Sequence, residues 1–272
     1  MLIGTNWFVG CSHKSSATDK FLSDTIKNKE SICEILCTFI GLGVDAILGG
    51  FGYHEELRDG IKMAEDKTGK KLIMIDTPGF TVEDSEAGRK EARAVIKQSK
   101  SNGATFCLPH HSTVEQLVNK HTRTIDRLPH YLEMIRDEGM IPGLSAHMPE
   151  LVTYSDKNEY DVQTYIQIYN CLGYLMQVEV EYINKVIHNA KKPVMTIKTL
   201  AAGRITPFIG LNFVWNTLRE CDMVTIGTIS KEEAAEVVEI SLAALQRRAP
   251  FIEGRASMSK DTSLEKTIMA KN

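Results

Sequence analysis

Eight histidines are spread through this chain of 272 residues, and several of them fall where short apolar runs end. His13 follows the run 7–12, Tyr53 and His54 follow 45–50, and Asp76 closes 71–76. His110 and His111 follow 104–109, Ser145 and His147 end the run 141–146, and Gln167 and Asn170 end 165–169. Lys198 closes 194–198, and Thr228 follows 223–227. Two chemistries compete for such a ring. Tyr53 beside His110 is a proton-transfer pair: a phenol can protonate a developing alkoxide while an imidazole orients the carbonyl, which implies carbonyl reduction by hydride. Alternatively His13, Asp76, His110 and His147 converge on a divalent metal such as zinc, manganese or iron, which implies a metal-dependent lyase, isomerase or hydrolase. No HxH or HExxH pair supports that second reading by spacing alone.

Lys198 admits two uses. A buried amine with a depressed pKa can form a Schiff base with a carbonyl. With Arg204 it also flanks the small-residue turn 200–203, which could approach a phosphate closely. Thr228 and Ser230 precede a helix whose free N–H groups could hold another phosphate, or serve only as its cap.

Elements must bring these residues together. The eight apolar runs recur about every 25–40 residues with amphipathic segments between them, the alternation of a (β/α)8 TIM barrel in the α/β class. In such a barrel the active site lies at the C-terminal strand ends, which makes the polar ring a site. A doubly wound sheet is the alternative arrangement, but the glycines Gly49, Gly50 and Gly52 have the wrong spacing for a dinucleotide fingerprint. Ile32, Ile35, Leu36, Phe39 and Ile40 form one helical stripe, and Tyr131, Met134 and Ile135 another that ends at Gly139. The length of the segment 175–187 favours a helix. Ser230 and Glu233 form a capping-box pattern before the last long helix. One barrel domain is expected over 1–249, followed by a polar tail over 250–272.

Composition narrows the partners. The net charge is −3 and no basic block is sustained, so a nucleic-acid partner is not expected. The six cysteines are scattered through apolar segments and read as reduced thiols. The most apolar stretch, 35–52, is interrupted by Asp45 and by glycines, so no membrane span is expected. A cytoplasmic enzyme of small-molecule metabolism fits these features, with homo-oligomer formation left open.

The order GLSAHMPEL at 143–151, YIQIYN at 165–170, VMTIKTLAAGRITP at 194–207 and MVTIGTISKEEAAEVVE at 223–239 resembles the aldo-keto reductase superfamily. The resemblance covers roughly the second half of the chain and implies a barrel holding NADPH or NADH across its strand ends. On this resemblance Ser145 and Gln167 would hold the nicotinamide amide, and Thr228 and Ser230 would lie near the cofactor phosphate. Asn170, Lys198 and Arg204 complete the expected cofactor set. In the first half, FGYHEELRDGIK at 51–62 is similar to the family's Tyr-Gly-x-Glu helix opening, so Tyr53 matches its acid. CLPHH at 107–111 places His110 or His111 at its histidine. Two positions depart from the pattern: Leu48 stands where the family has Asp, and Ile75, Asp76 and Thr77 stand where it has Lys. The catalytic set expected is therefore Tyr53, His110, His111, Asp76 and His147, acting on a small polar carbonyl metabolite.

Overall fold

The computed structural model describes residues 1–252; most of the polar segment expected over 250–272 lies outside the described residues. The chain alternates strands and helices as β1 (Leu2–Gly4), α1 (Ser16–Thr25), α2 (Lys29–Gly41), β2 (Ala46–Gly49), α3 (Glu55–Thr68), β3 (Ile73–Asp76) and α4 (Glu86–Ser101). β4 (Phe106–Cys107) and α5 (His111–Val114) follow, then a small hairpin of β5 (Val118–Asn119) and β6 (Thr124–Ile125), and α6 (Leu128–Asp137). The second half holds β7 (Ile141–Pro142), β8 (Leu144–Ser145), α7 (Glu150–Asn158), β9 (Tyr165–Ile168), α8 (Val180–Asn189), β10 (Val194–Ile197), α9 (Pro207–Thr217), β11 (Met223–Ile226) and α10 (Lys231–Gln246).

Apart from the hairpin, the strands are parallel and run in the order β7-β4-β3-β2-β1-β11-β10-β9-β8. β7 pairs with β4 while β8 pairs with β9, and only Gly143 separates them in the chain. They are two halves of one stave, and through it the sheet closes into a (β/α)8 barrel. Closure demands glycine there: a Cβ on Gly143 would lie 2.7 Å from the Thr164 carbonyl oxygen and 2.8 Å from Leu108 Cγ.

The strands alternate between two apolar compartments. Leu2, Leu48, Ile75, Leu108, Ile166 and Met195 fill the lumen, while Ile3, Ile47, Met74 and Tyr165 face the helices. Each fully buried aliphatic side chain contributes about 1.5–3 kcal/mol relative to exposure. The α2 stripe from Ile32 to Ile40 is buried as its spacing predicts, and Gly139 ends α6 at φ 69°. Ser230 Oγ accepts from Glu233 N at 3.1 Å, the expected cap of α10.

Two expectations need correction. The first strand is Leu2–Gly4, not 7–12: Val9 N donates to the Thr5 carbonyl and Cys11 N to that of Asn6, so the latter segment is a coil of turns. Of the expected helix 175–187 only the part from Val180 forms, because Gly173 (φ 66°) and Leu175 (φ 57°) hold left-handed turns that an α-helix cannot contain. No helix among the described residues is long and apolar enough to cross a membrane.

Candidate functional site

A cavity of about 770 Å³ opens at the C-terminal ends of the strands. One wall is built from the loops after β1 and β10. His13 Nε2 lies 3.0 Å from Asn6 Nδ2 and 3.4 Å from Lys198 Nζ. Tyr174, on the loop after β9, clamps this wall: its hydroxyl donates to the His13 carbonyl at 3.0 Å and its ring lies 4.3 Å from the Arg204 guanidinium carbon. Lys14 adds a further cation, 5.9 Å from the centre of the Trp7 ring. Burial pushes the Lys198 ammonium below its ordinary pKa, and the Cys11 thiol opposes that only in part. Burial, followed by the charge of Lys198, lowers His13.

The opposite wall is a stack of imidazoles. His111 lies face to face with His147 at 3.6 Å between ring centres and 4.2 Å from His110. The stack follows from the short helix α5. His110 caps it by accepting from Ser112 N, and His111 opens it. Four residues on, Glu115 accepts through Oε1 from His147 N at 2.7 Å and Met148 N at 2.8 Å, while its Oε2 sits 3.6 Å from His111 Nδ1. That carboxylate ties the loop after β8 to the loop after β4. Burial lowers His110 to about 4 and His147 to about 3, helped in each case by His111 and Lys198, so both are neutral near pH 7. Burial alone would raise the Glu115 carboxyl; the His111 imidazole and the N–H groups of Met148 and His147 bring it below the ordinary value.

Three threonines contribute to the lining as well. Thr199, Thr225 and Thr228 are buried, line the cavity, and have Oγ1 atoms without a hydrogen-bond partner among the described residues. Ser145 lines it as well.

The expected site residues divide accordingly. His13, His110, His111, Ser145, His147, Lys198, Arg204 and Thr228 line the one cavity. Tyr53 does not. It is 84% exposed and borders a separate hollow of about 80 Å³ with His54 and Asp76. The reason is local: Phe51 is fully buried, and Arg58 Nη1 donates to the carbonyls of Phe51 and Gly52, which fixes the loop with Tyr53 outward. Asp76 is 1% exposed and accepts from Phe51 N at 3.2 Å, so it anchors that loop from below. The expected cluster of His13, Asp76, His110 and His147 is therefore not formed. Among the described residues no three His, Cys, Asp or Glu side chains are grouped to hold a metal ion.

Three expected cofactor contacts are also placed elsewhere. Asn170 spends its amide on the Tyr174 carbonyl and on the N–H groups of Leu172 and Tyr174. Ser230 Oγ is the α10 cap, and Glu233 Oε2 takes the Ile229 N–H. Gln167 is fully buried outside the cavity lining; its Nε2 donates to the His147 carbonyl at 3.3 Å, and its Oε1 has no partner among the described residues. Sequence reasoning missed Lys14, Glu115, Thr199 and Thr225. Glu115 had a signal, since it stands four residues after His111 and so shares a helical face with it.

No protein-family model and no curated protein matches the chain. Solved structures do. A putative aldo-keto reductase from Pseudomonas aeruginosa is similar at 15% identity and TM-score 0.60, over 90% of each chain. An aldo-keto reductase from Klebsiella pneumoniae, solved in complex with NADPH, is similar at 14% identity and TM-score 0.57, over 94% of each chain. An orotidine 5'-monophosphate decarboxylase from Methanocaldococcus jannaschii also shares the barrel, at 17% identity and TM-score 0.51, over 78% of this chain and 93% of that one. The fold is thus a (β/α)8 barrel of the kind that aldo-keto reductases have, and the resemblance read in the second half of the sequence holds at the level of fold.

Proposed function

We propose that this barrel is a cytoplasmic NAD(P)H-dependent reductase of a small polar carbonyl compound, with a proton-donating group different from the one expected. The observation that supports it best is the cavity itself, about 770 Å³, lined by Thr199, Thr225 and Thr228 and by the cations Lys14 and Arg204. The cations suit the phosphates of a nicotinamide dinucleotide, and the size is that of a small-molecule site. The N-terminus of α10 is less suited, because Glu233 already occupies the Ile229 N–H. The bound dinucleotide would supply a hydride.

The chain's own contribution is to hold the carbonyl and protonate its oxygen. Neutral His110 and His147 can orient the carbonyl by hydrogen bonds without adding charge. His111 with Glu115 is an imidazole–carboxylate pair that can hold a proton and pass it to the oxygen as negative charge develops there. Tyr53 takes no part in this reading. The six cysteines are free thiols, which supports a reducing compartment.

The test is titration with NADPH and with NADH, followed by nucleotide fluorescence. Saturable enhancement or quenching is expected, weakened by Thr228→Val. No response to either nucleotide would remove the reading.

A further inference from the structure

We infer that Lys198 is a nucleophilic amine, activated by His13, that captures aldehydes or 2-oxo acids in the cavity as an imine. The inference rests on the cavity accepting a carbonyl compound, as proposed above, but needs no nucleotide.

The geometry is that of a nucleophile, a base and an orienting group. Lys198 Nζ and His13 Nε2 are 3.4 Å apart, within reach for a proton to pass between them. Asn6 Nδ2, at 3.0 Å from the same imidazole nitrogen, donates to it and keeps it aimed as an acceptor. Among the described residues no carboxylate is bonded to Lys198, and the hydrogen-bonding neighbour it has there is an imidazole. Lys71, Lys120 and Lys231, by contrast, pair with glutamates on the surface. Burial moves the ammonium in the direction that favours the free amine.

Backbone conformation points the same way. Lys198 has φ 58° and His13 has φ 56°, left-handed values that few non-glycine residues adopt. Residues held in such regions cluster at functional sites, where the surrounding structure over-determines them. Here it does: Ala201 N donates to the Lys198 carbonyl at 2.8 Å, and the Tyr174 hydroxyl to that of His13 at 3.0 Å.

The chemistry balances without a redox partner. The Nζ lone pair attacks the carbonyl carbon, and His13 Nε2 takes one proton from the nitrogen. That proton passes to the former carbonyl oxygen. The second proton on nitrogen leaves with that oxygen as water, and the C=N bond remains.

Glyoxylate is the probe, incubated with the full chain at substoichiometric ratio, reduced with sodium cyanoborohydride, and mapped by peptide mass spectrometry. One adduct is expected, on Lys198, heavier by the mass of glyoxylic acid less one oxygen. Lys198→Met should abolish it. His13→Gln should leave Lys198 as the labelled residue but slow labelling on the order of 100-fold, the low end for a positioned base. The slowed rate should recover as pH rises, since solvent then removes the proton. The other titratable groups around the pair, Cys11 and Lys14 on the same loop, Asp19 in the first turn of α1, and His110, His111 and His147 across the cavity, stay the same in that comparison. Adducts spread over exposed lysines in the unsubstituted chain would overturn the inference whether or not a variant folds. So would an unchanged rate or pH profile in folded His13→Gln. A protein that binds neither nucleotide but labels at Lys198 would lose the reductase reading and keep this one.

Discussion

Lys198 and His13 come from loops 185 residues apart in sequence, meet at 3.4 Å between Nζ and Nε2, and both hold left-handed backbone angles. Each such residue costs about 1–2 kcal/mol of conformational energy. The contact closes one wall of the cavity and places a cation where it acts on histidines of both walls.

That cation has a measurable reach. The charge of Lys198 contributes to the lowered pKa of His13, His110 and His147 alike, after burial in each case. Lys198→Met should raise the titration midpoints of all three imidazoles. The ring-proton NMR signals of the two proteins, followed over pH, measure this directly. Three unchanged midpoints would mean that the ammonium is not where the structure places it.

Tyr53 marks the boundary between what the sequence disclosed and what it concealed. Eight apolar runs at regular intervals are a backbone pattern, and seven of the eight expected strands overlap those formed. The ring of polar strand ends was legible for the same reason, since strands that close a barrel carry their C-terminal residues to one face. Which way a loop residue turns was not legible. It depends on Phe51 entering the core and on Arg58 reaching back to two carbonyls, contacts that no spacing records. Asp76 was misread likewise, because a buried carboxylate that accepts from a loop N–H looks in sequence like one that faces a substrate.

Tyr53→Phe should therefore leave reductase turnover within about twofold and stability within about 0.5 kcal/mol, as for a surface substitution away from any anchoring feature. His111→Asn should lower kcat by about 100-fold or more, the ordinary loss for a positioned acid. Steady-state kinetics of the two variants side by side distinguish this assignment from the one in which Tyr53 is the acid. A large loss in Tyr53→Phe with a small one in His111→Asn would reverse it.

Thr228 offers a case in which binding and stability move in opposite directions. The residue is 1% exposed and its hydroxyl has no partner among the described residues, so the free protein bears the cost of an unpaired buried polar group. Thr228→Val removes that group at nearly constant volume. Thermal denaturation should show a protein as stable or more stable, by up to about 1 kcal/mol. Nucleotide affinity should fall about fivefold, the worth of one hydrogen bond near 1 kcal/mol. A loss of stability would mean that the hydroxyl already has a partner in the free protein.

The histidine stack makes the fold sensitive to mild acid. His110 titrates at about 4 and His147 at about 3, against about 6.5 in an unfolded chain. Between these values the unfolded chain binds protons that the folded chain refuses, so stability rises with pH there and falls as pH drops from 6.5. The slope is at most about 1.4 kcal/mol per pH unit for each imidazole, less where water screens the ring. Asp76 works in the other direction: burial raises its carboxyl, so its contribution is full below the ordinary 3.8 and lost as pH rises through the folded value. Carboxylates held below their ordinary values, such as Glu115 and Glu239, add their own losses only below about 4.5. The interval from pH 6.5 to about 4.5 therefore belongs mainly to the histidines. Denaturant unfolding at intervals across it should show falling stability in the unsubstituted protein and a shallower slope in His147→Asn. Equal slopes would show that His147 is protonated as easily in the folded chain as in the unfolded one, which a ring stacked at 3.6 Å on His111 and beside Lys198 should not be.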